Sequence, residues 1–81
     1  SPFPGAWCKI NGERVKIHMS KYENFKNLEN VQPGTVIEEG LLIACKENAV
    51  RLVEVQPAGK SKMNVREFLK GRKVPLNTEL K

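Results

Sequence analysis

The stretch AWCKINGERVKIHMS, residues 6–20, decides the fold, because polar and apolar side chains alternate on both sides of a central Asn11-Gly12 pair. Asn-Gly is the dipeptide best suited to a type I′ turn, in which both central residues need positive φ. We therefore predict a β-hairpin in which Cys8 lies opposite Val15 on the core face. The position of the turn determines the register of the two strands. The register in turn determines which face of the hairpin each side chain occupies.

The outer face of this predicted hairpin carries Lys9 opposite Arg14 and Trp7 opposite Lys16. Three cations beside an indole can hold phosphates or stack on a base. A Trp near a chain end can instead cover the end of a barrel, with lysine stems along its ring. Both interpretations stay open at this point. Lys9 and Arg14 also repel each other, and an anionic partner would relieve that repulsion.

Turn signals recur about every ten residues further along the chain, as in small all-β domains. The Gln-Pro-Gly run at 32–34 has proline and glycine in the two central positions of a type II turn. Short strands are expected over 35–38, 41–46 and 49–56, the last two joined by a turn at Glu47-Asn48. Together with the first hairpin these strands indicate an all-β fold, a small barrel of five to six strands.

A short helix is predicted near the C-terminus. Asn64 is a suitable N-cap, and Glu67 follows it at the spacing of a capping box. One helical face carries the apolar residues Val65, Phe68 and Leu69. A helix this short is stable only when that face docks on the barrel, and it should end at Gly71. Its basic residues are expected to point outward, namely Arg66, Lys70 and Arg72.

Charge is unevenly distributed along the 81 residues, which carry a net charge of +5. Residues 1–21 have a balance of +3, residues 22–56 of −3 and residues 57–81 of +5. If the two basic ends meet in space, they form a face that attracts polyanions. The alternative is that surface Lys and Arg only keep a small protein soluble.

Catalytic chemistry is not evident in the sequence, and a domain of this size has little apolar material left for a deep pocket. His18 is the single histidine, and no base or nucleophile is predicted beside it. Cys8 and Cys45 are far apart and lack the spacing of a zinc site, so we expect no metal. Buried, reduced thiols are typical of the cytoplasm. The longest apolar run, residues 41–45, is too short to span a membrane.

Three segments resemble, in order and spacing, the C-terminal domain of the methionyl-tRNA formyltransferase family. They are FPGAW at 3–7, PGTVI at 33–37 and LVEVQPAGKSKM at 52–63, and the QPAGK run at 56–60 is the most specific part. The resemblance covers nearly the whole chain. It implies an OB-like barrel with a short C-terminal helix. Residues 1–81 would then be one domain, excised from a larger two-domain enzyme.

The same resemblance implies a function in translation initiation. The parent enzyme would transfer a formyl group from 10-formyltetrahydrofolate to initiator methionyl-tRNA, with its catalytic Asn, His and Asp in an N-terminal domain. This chain would hold no catalytic residue and no cofactor of its own. It would be a cytoplasmic, monomeric module that binds tRNA and orients it for the catalytic domain. It would not contact a membrane.

The charge pattern names the residues that would contact the tRNA backbone. We predict phosphate contacts from the hairpin and from the flexible loop that follows the last long strand, through Lys9, Arg14, Lys16, Lys60 and Lys62. Such contacts position a nucleic acid without reading its sequence.

Two other functions remain open at this stage. Related formyltransferases and formyltetrahydrofolate hydrolases carry a similar C-terminal domain, which would be a packing domain with no RNA role. A generic protein-interaction barrel is the other possibility, and its acidic middle strands could serve as the binding surface.

Overall fold

Residues 6–80 are described by a computed structural model, in which six strands precede one helix. The elements are β1 (Trp7–Ile10), β2 (Glu13–Glu23), β3 (Val36–Glu38), β4 (Leu42–Ala44), β5 (Ala49–Pro57), β6 (Met63–Asn64) and α1 (Val65–Lys70). Phe3, Pro4 and Gly5 of the first resembling segment lie outside the described residues. The predicted all-β class with a short C-terminal helix is confirmed.

All strand pairs are antiparallel, and the sheet order is β1-β2-β5-β4-β3, with β6 pairing to β5 beside this path. Within residues 6–80 the sheet is open, with β1 and β3 at its edges, so the barrel expected from the sequence is not closed. The long strand β2 pairs with β5 through register shifts on both sides of Met19. Such irregularities bend a strand and increase its twist, which lets one sheet wrap around a core.

The first hairpin has the predicted register, with Cys8 opposite Val15 and Lys9 opposite Arg14. Both turn residues adopt positive φ, 54° at Asn11 and 83° at Gly12, as a type I′ turn requires. The alternation then follows from the register: Val15 is fully buried, whereas Arg14 is exposed. The two faces of the hairpin therefore separate the core from the charged surface.

The hydrophobic core is assembled from the inward residues of the sheet and of α1. Its members are aliphatic except for one ring, and they are Ile10, Val15, Ile17, Val36, Leu41, Ile43, Val50, Leu52, Val55, Val65 and Phe68. Phe68 has no solvent exposure. Burying a side chain of this size stabilises the fold by about 1.5–3 kcal/mol, so docking the ring contributes much of what holds α1 to the sheet.

The position of one turn follows from its local sequence, whereas the position of another is set by the pairing of the strands on either side of it. The turn at 32–34 is confirmed: Thr35 N donates to Gln32 O at 3.2 Å, and Gly34 has φ of 95°. The turn predicted at Glu47-Asn48 is wrong by one residue, because Cys45 N donates to Asn48 O at 2.7 Å and leaves residues 46–47 at the centre. The buried pair of alanines next to it, at positions 44 and 49, sets this register rather than the turn preference of asparagine.

Arg51 of β5 forms hydrogen bonds that connect this strand to the end of β2 and to the end of β3. Its guanidinium donates to the Glu23 carboxylate at 2.7 Å, to the Glu38 carboxylate at 3.1 Å and to the Glu39 carbonyl oxygen at 2.9 Å. Gly40 lies against this group with φ of 79°, and a Cβ built there would be 3.0 Å from Arg51 Nη1. A side chain at position 40 would thus be strained by its backbone and crowded by the guanidinium.

The helix begins as predicted. Asn64 is the N-cap, and its Oδ1 accepts a hydrogen bond from Glu67 N at 2.8 Å. The Glu67 side chain does not complete the capping box; its carboxylate pairs with Lys70 Nζ at 2.9 Å, one turn further on. Val65 and Phe68 face the core. No helix in residues 6–80 is long and apolar enough to span a membrane.

Removing the cap tests how much this short helix depends on it. We expect Asn64→Ala to lower the free energy of unfolding by about 1 kcal/mol, because the amide of Glu67 loses its acceptor. Asn64→Ser keeps a side-chain acceptor and should retain most of the stability. Urea unfolding followed by circular dichroism measures both, and equal midpoints for the two variants would contradict the capping role.

Candidate nucleic-acid interface

The outer face of the β1–β2 hairpin presents three cations and one indole. Lys9 lies opposite Arg14, and Trp7 opposite Lys16, so all four side chains leave the same side of the sheet. The guanidinium carbon of Arg14 lies 4.5 Å from the centre of the Trp7 ring. This stacking holds the guanidinium over the indole, while 46% of Trp7 remains exposed.

The loop that follows β5 lies directly beside this face. Lys16 of β2 pairs with Gln56 of β5, and just beyond it Ala58 N donates to the Arg14 carbonyl oxygen at 2.9 Å. The structure therefore brings the loop that carries Lys60 and Lys62 next to the hairpin cations. Lys62 Nζ is 3.9 Å from Glu54 Oε1, a loose and exposed pair. Pairs of that kind contribute little and exchange readily for another anion.

Contacts between the two basic ends of the chain confirm that they meet in space. Asn11 Nδ2 donates to the Lys73 carbonyl oxygen at 2.8 Å. Arg72 forms a bidentate pair with Glu13, with Nε to Oε1 at 2.7 Å and Nη2 to Oε2 at 2.9 Å. The prediction that Arg72 points outward is wrong, because its guanidinium also stacks on the Phe68 ring at 4.4 Å. It holds the C-terminal segment against the hairpin.

The basic residues thus fall into two groups. Arg51 and Arg72 have carboxylate partners at 2.7 Å and hold strands or segments together. In the part of the chain that the structure describes, none of the cations at positions 9, 14, 16 and 60 has a carboxylate within 4.0 Å. These four side chains form no direct ion pair among residues 6–80 and are available to an external anion.

Titration of two carboxyl groups reflects the structural ion pairs. The hydrogen bond from Arg72 lowers the pKa of Glu13 below its ordinary value, with smaller contributions from the charges of Arg72 and Lys60. The hydrogen bond from Arg51 lowers the pKa of Glu23 in the same way. Each carboxyl group is thereby kept ionised to lower pH in the folded state than in the unfolded chain.

His18 has a hydrogen-bond partner that the sequence did not predict. Its Nε2 lies 2.8 Å from Oε1 of Gln56, which belongs to the neighbouring strand β5. The ring is half-buried and bound rather than free on the surface. The one signal that could have indicated this partner is the QPAGK run at 56–60, whose first residue is the glutamine.

The two cysteines are free and half-buried. Burial raises the pKa of the Cys8 thiol to about 11 and raises the pKa of Cys45 as well, so both are neutral thiols near pH 7. Among residues 6–80, no three His, Cys, Asp or Glu side chains are grouped as metal ligands would be.

Comparison with known proteins places this arrangement in a family. The chain belongs to the formyl transferase C-terminal domain family, whose model matches residues 1–73. Among its curated relatives are enzymes named methionyl-tRNA formyltransferase. Those of Ruegeria pomeroyi and Brucella ovis are 42% and 46% identical over 80 and 78 residues, covering 99% and 91% of this chain. The matches cover 25% and 24% of those proteins, so the chain spans about a quarter of their length.

Acid sensitivity tests the Glu13–Arg72 pair. The lowered pKa of Glu13 means that its stabilisation is fully present above the unfolded-state value of about 4.3 and is lost as the pH falls through the lower folded-state value. We expect Glu13→Gln to lower the free energy of unfolding at pH 7 by up to about 1 kcal/mol and to flatten the decline of that free energy as the pH falls below about 4.3.

Urea unfolding at several pH values measures this effect. Glu29→Gln is the matched control, because Glu29 is exposed and forms no ion pair among residues 6–80. A pH profile that is the same for Glu13→Gln and for the unchanged chain would contradict a stabilising role of the pair.

Reversing one charge tests the repulsion on the hairpin face. Lys9→Glu replaces a like-charge pair with an opposite-charge pair across the strands, and we expect stability to rise by about 0.2–1 kcal/mol. Lys26→Glu makes the same change of net charge at an exposed position in the segment between β2 and β3. Thermal unfolding at low and high salt should show a gain specific to position 9 that shrinks as salt rises. Equal gains in both variants would show that only net charge matters.

Proposed function

We propose that this chain is the tRNA-binding domain of a methionyl-tRNA formyltransferase. It would bind initiator methionyl-tRNA through the phosphate backbone and orient it for an N-terminal catalytic domain that uses 10-formyltetrahydrofolate. It would act in the cytoplasm as part of a monomeric enzyme, with no cofactor in this domain. The choice of tRNA as the ligand rests on the names of the curated relatives. The choice of the contact surface rests on the cations of the outer hairpin face.

One observation carries the proposal: three cations that form no ion pair among residues 6–80 share the outer face of the hairpin. Lys9, Arg14 and Lys16 lie on adjacent strands about 4.8 Å apart, and residues two apart on one strand are about 6.6 Å apart. The result is a closely spaced group of positive charges on a rigid sheet. Structured RNA is recognised largely through its shape and backbone, and a group of this kind suits a run of phosphates.

The same face has few features that could read a base sequence. Trp7 is its one aromatic side chain among the described residues, and Arg14 already stacks on it. Contacts to phosphates fix the position of a nucleic acid but carry no sequence information. The domain would therefore orient the tRNA, and the selection of the initiator would be made elsewhere in the enzyme.

Binding of labelled tRNA, measured by fluorescence anisotropy at several salt concentrations, tests the proposal. A few phosphate contacts predict a dissociation constant of roughly 10⁻⁴ to 10⁻⁶ M near physiological salt, with affinity falling steeply as salt rises. The double variant Lys9→Ala/Lys16→Ala should reduce the slope of log affinity against log salt by about one to two, because two counterion-releasing contacts are lost.

A matched double variant separates contact from net charge. Lys26→Ala/Lys46→Ala removes two exposed lysines from loops away from the hairpin face, and its slope should stay close to that of the unchanged chain. Equal slopes for the two double variants would show that tRNA does not contact the hairpin face. A chain that binds no tRNA at low salt would contradict the RNA function and favour a packing role within the enzyme.

A further inference from the structure

The QPAGK run at 56–60 forms a tight turn at the edge of the cationic face. Lys60 N donates to the Pro57 carbonyl oxygen at 3.0 Å, and Gly59 has φ of 76°. Glycine adopts that conformation without strain. Ala58 N is bonded to the Arg14 carbonyl oxygen, so the first half of the turn is attached to β2. The second half leads into exposed Lys60, Ser61 and Lys62.

The side chain of Gln56 bridges the two sides of this turn. Its Nε2 donates to the Lys60 carbonyl oxygen at 2.9 Å, and its Oε1 lies 2.8 Å from His18 Nε2. The opposite amide orientation would set two oxygen acceptors against each other at the carbonyl, so the orientation is determined. Oε1 then needs a donor, which means that His18 carries a proton on Nε2. A continuous chain of hydrogen bonds runs from β2 through Gln56 to the loop.

We propose that Gln56 is a positioning residue, which through His18 and the Lys60 carbonyl holds the loop lysines beside the hairpin cations for contact with RNA phosphates. This inference rests on the proposed function. Gln56 is suited to the role because its main chain lies directly opposite Lys16, in the middle of the face. The Gln56 side chain, together with the hydrogen bond from Ala58 N to the Arg14 carbonyl oxygen, thus connects the loop lysines to the hairpin.

The energetic reason is preorganisation. Fixing one free backbone residue costs about 1–2 kcal/mol of conformational entropy, and a loop that is ordered before binding does not incur that cost when RNA arrives. Glycine at position 59 has more backbone freedom to lose than any other residue, so the hydrogen bond at the neighbouring Lys60 carbonyl helps to order this part of the loop. Lys60 and Lys62 would then add their contacts to those of the hairpin without an ordering penalty.

Gln56→Met tests the inference, because it keeps the length of the side chain and removes both hydrogen bonds. We expect tRNA affinity to fall about three- to tenfold and the salt slope to decrease, as the loop lysines lose their fixed place. His18→Leu should behave similarly. His18→Gln should restore near-normal affinity, because the glutamine amide nitrogen lies close to the position of the lost ring Nε2–H.

A double-mutant cycle distinguishes positioning from general damage to the fold. In a Lys60→Ala/Lys62→Ala background, Gln56→Met should cause no further loss of affinity, because the side chains that it positions are gone. A loss that persists in that background would show a merely structural effect and overturn the inference. Urea unfolding of each variant confirms that it is folded at the temperature of the binding measurement.

The remaining outcomes separate the inference from the proposed function. If Gln56→Met binds tRNA with unchanged affinity and slope while Lys9→Ala/Lys16→Ala binds weakly, the positioning role is overturned and the tRNA function stands. If the unchanged chain binds no tRNA at low salt, that result contradicts both the positioning role of Gln56 and the proposed tRNA-binding function.

Discussion

The register between β1 and β2 is the constraint on which both the core and the cationic face depend. Side chains alternate along a strand, so a slip of one residue would exchange the two faces. If β2 slipped, Val15 would move to the surface, and Arg14 and Lys16 of the same strand would move to the core. Burying two unpaired cations is far more costly than any gain from turn formation. The positive φ values at Asn11 and Gly12 belong to a two-residue turn, which sets the register of the two strands locally.

The basic residues of the domain have two different roles. The arginines at 51 and 72 act inside the fold, where a planar guanidinium can hold a carboxylate with two nitrogens or bridge several acceptors. The hairpin lysines have no such role, and Lys9 faces Arg14 at a position where a different residue would be more stabilising. Unfavourable local choices of this kind are typical of positions maintained for function. In the proposed function, phosphates lying between these charges would replace the repulsion with attraction.

Local sequence predicted the elements whose geometry is encoded within a few residues. The Asn-Gly turn, the turn ending at Gly34 and the N-cap at Asn64 all have their determining atoms close together in the chain. The features that sequence missed depend on residues far apart. Glu13 and Arg72 are 59 positions apart, and His18 and Gln56 are 38 apart. No periodicity encodes such pairs, because they exist only after the sheet has brought distant segments together.

The long-range pairs explain how so small a domain keeps an ordered surface while its sheet stays open. The C-terminal segment pairs with the edge at β3 through a bridge between Thr35 and Glu79 and through backbone hydrogen bonds of 2.8 Å between Val36 and residues 77–78. The contacts of Arg72 with Glu13 and Phe68 attach that segment to the hairpin, and Gln56 attaches the neighbouring loop. Each anchor reduces the freedom of a segment adjacent to the cations. A basic surface that is already ordered binds a polyanion without first losing that entropy, so the anchors and the charges act together in the proposed function.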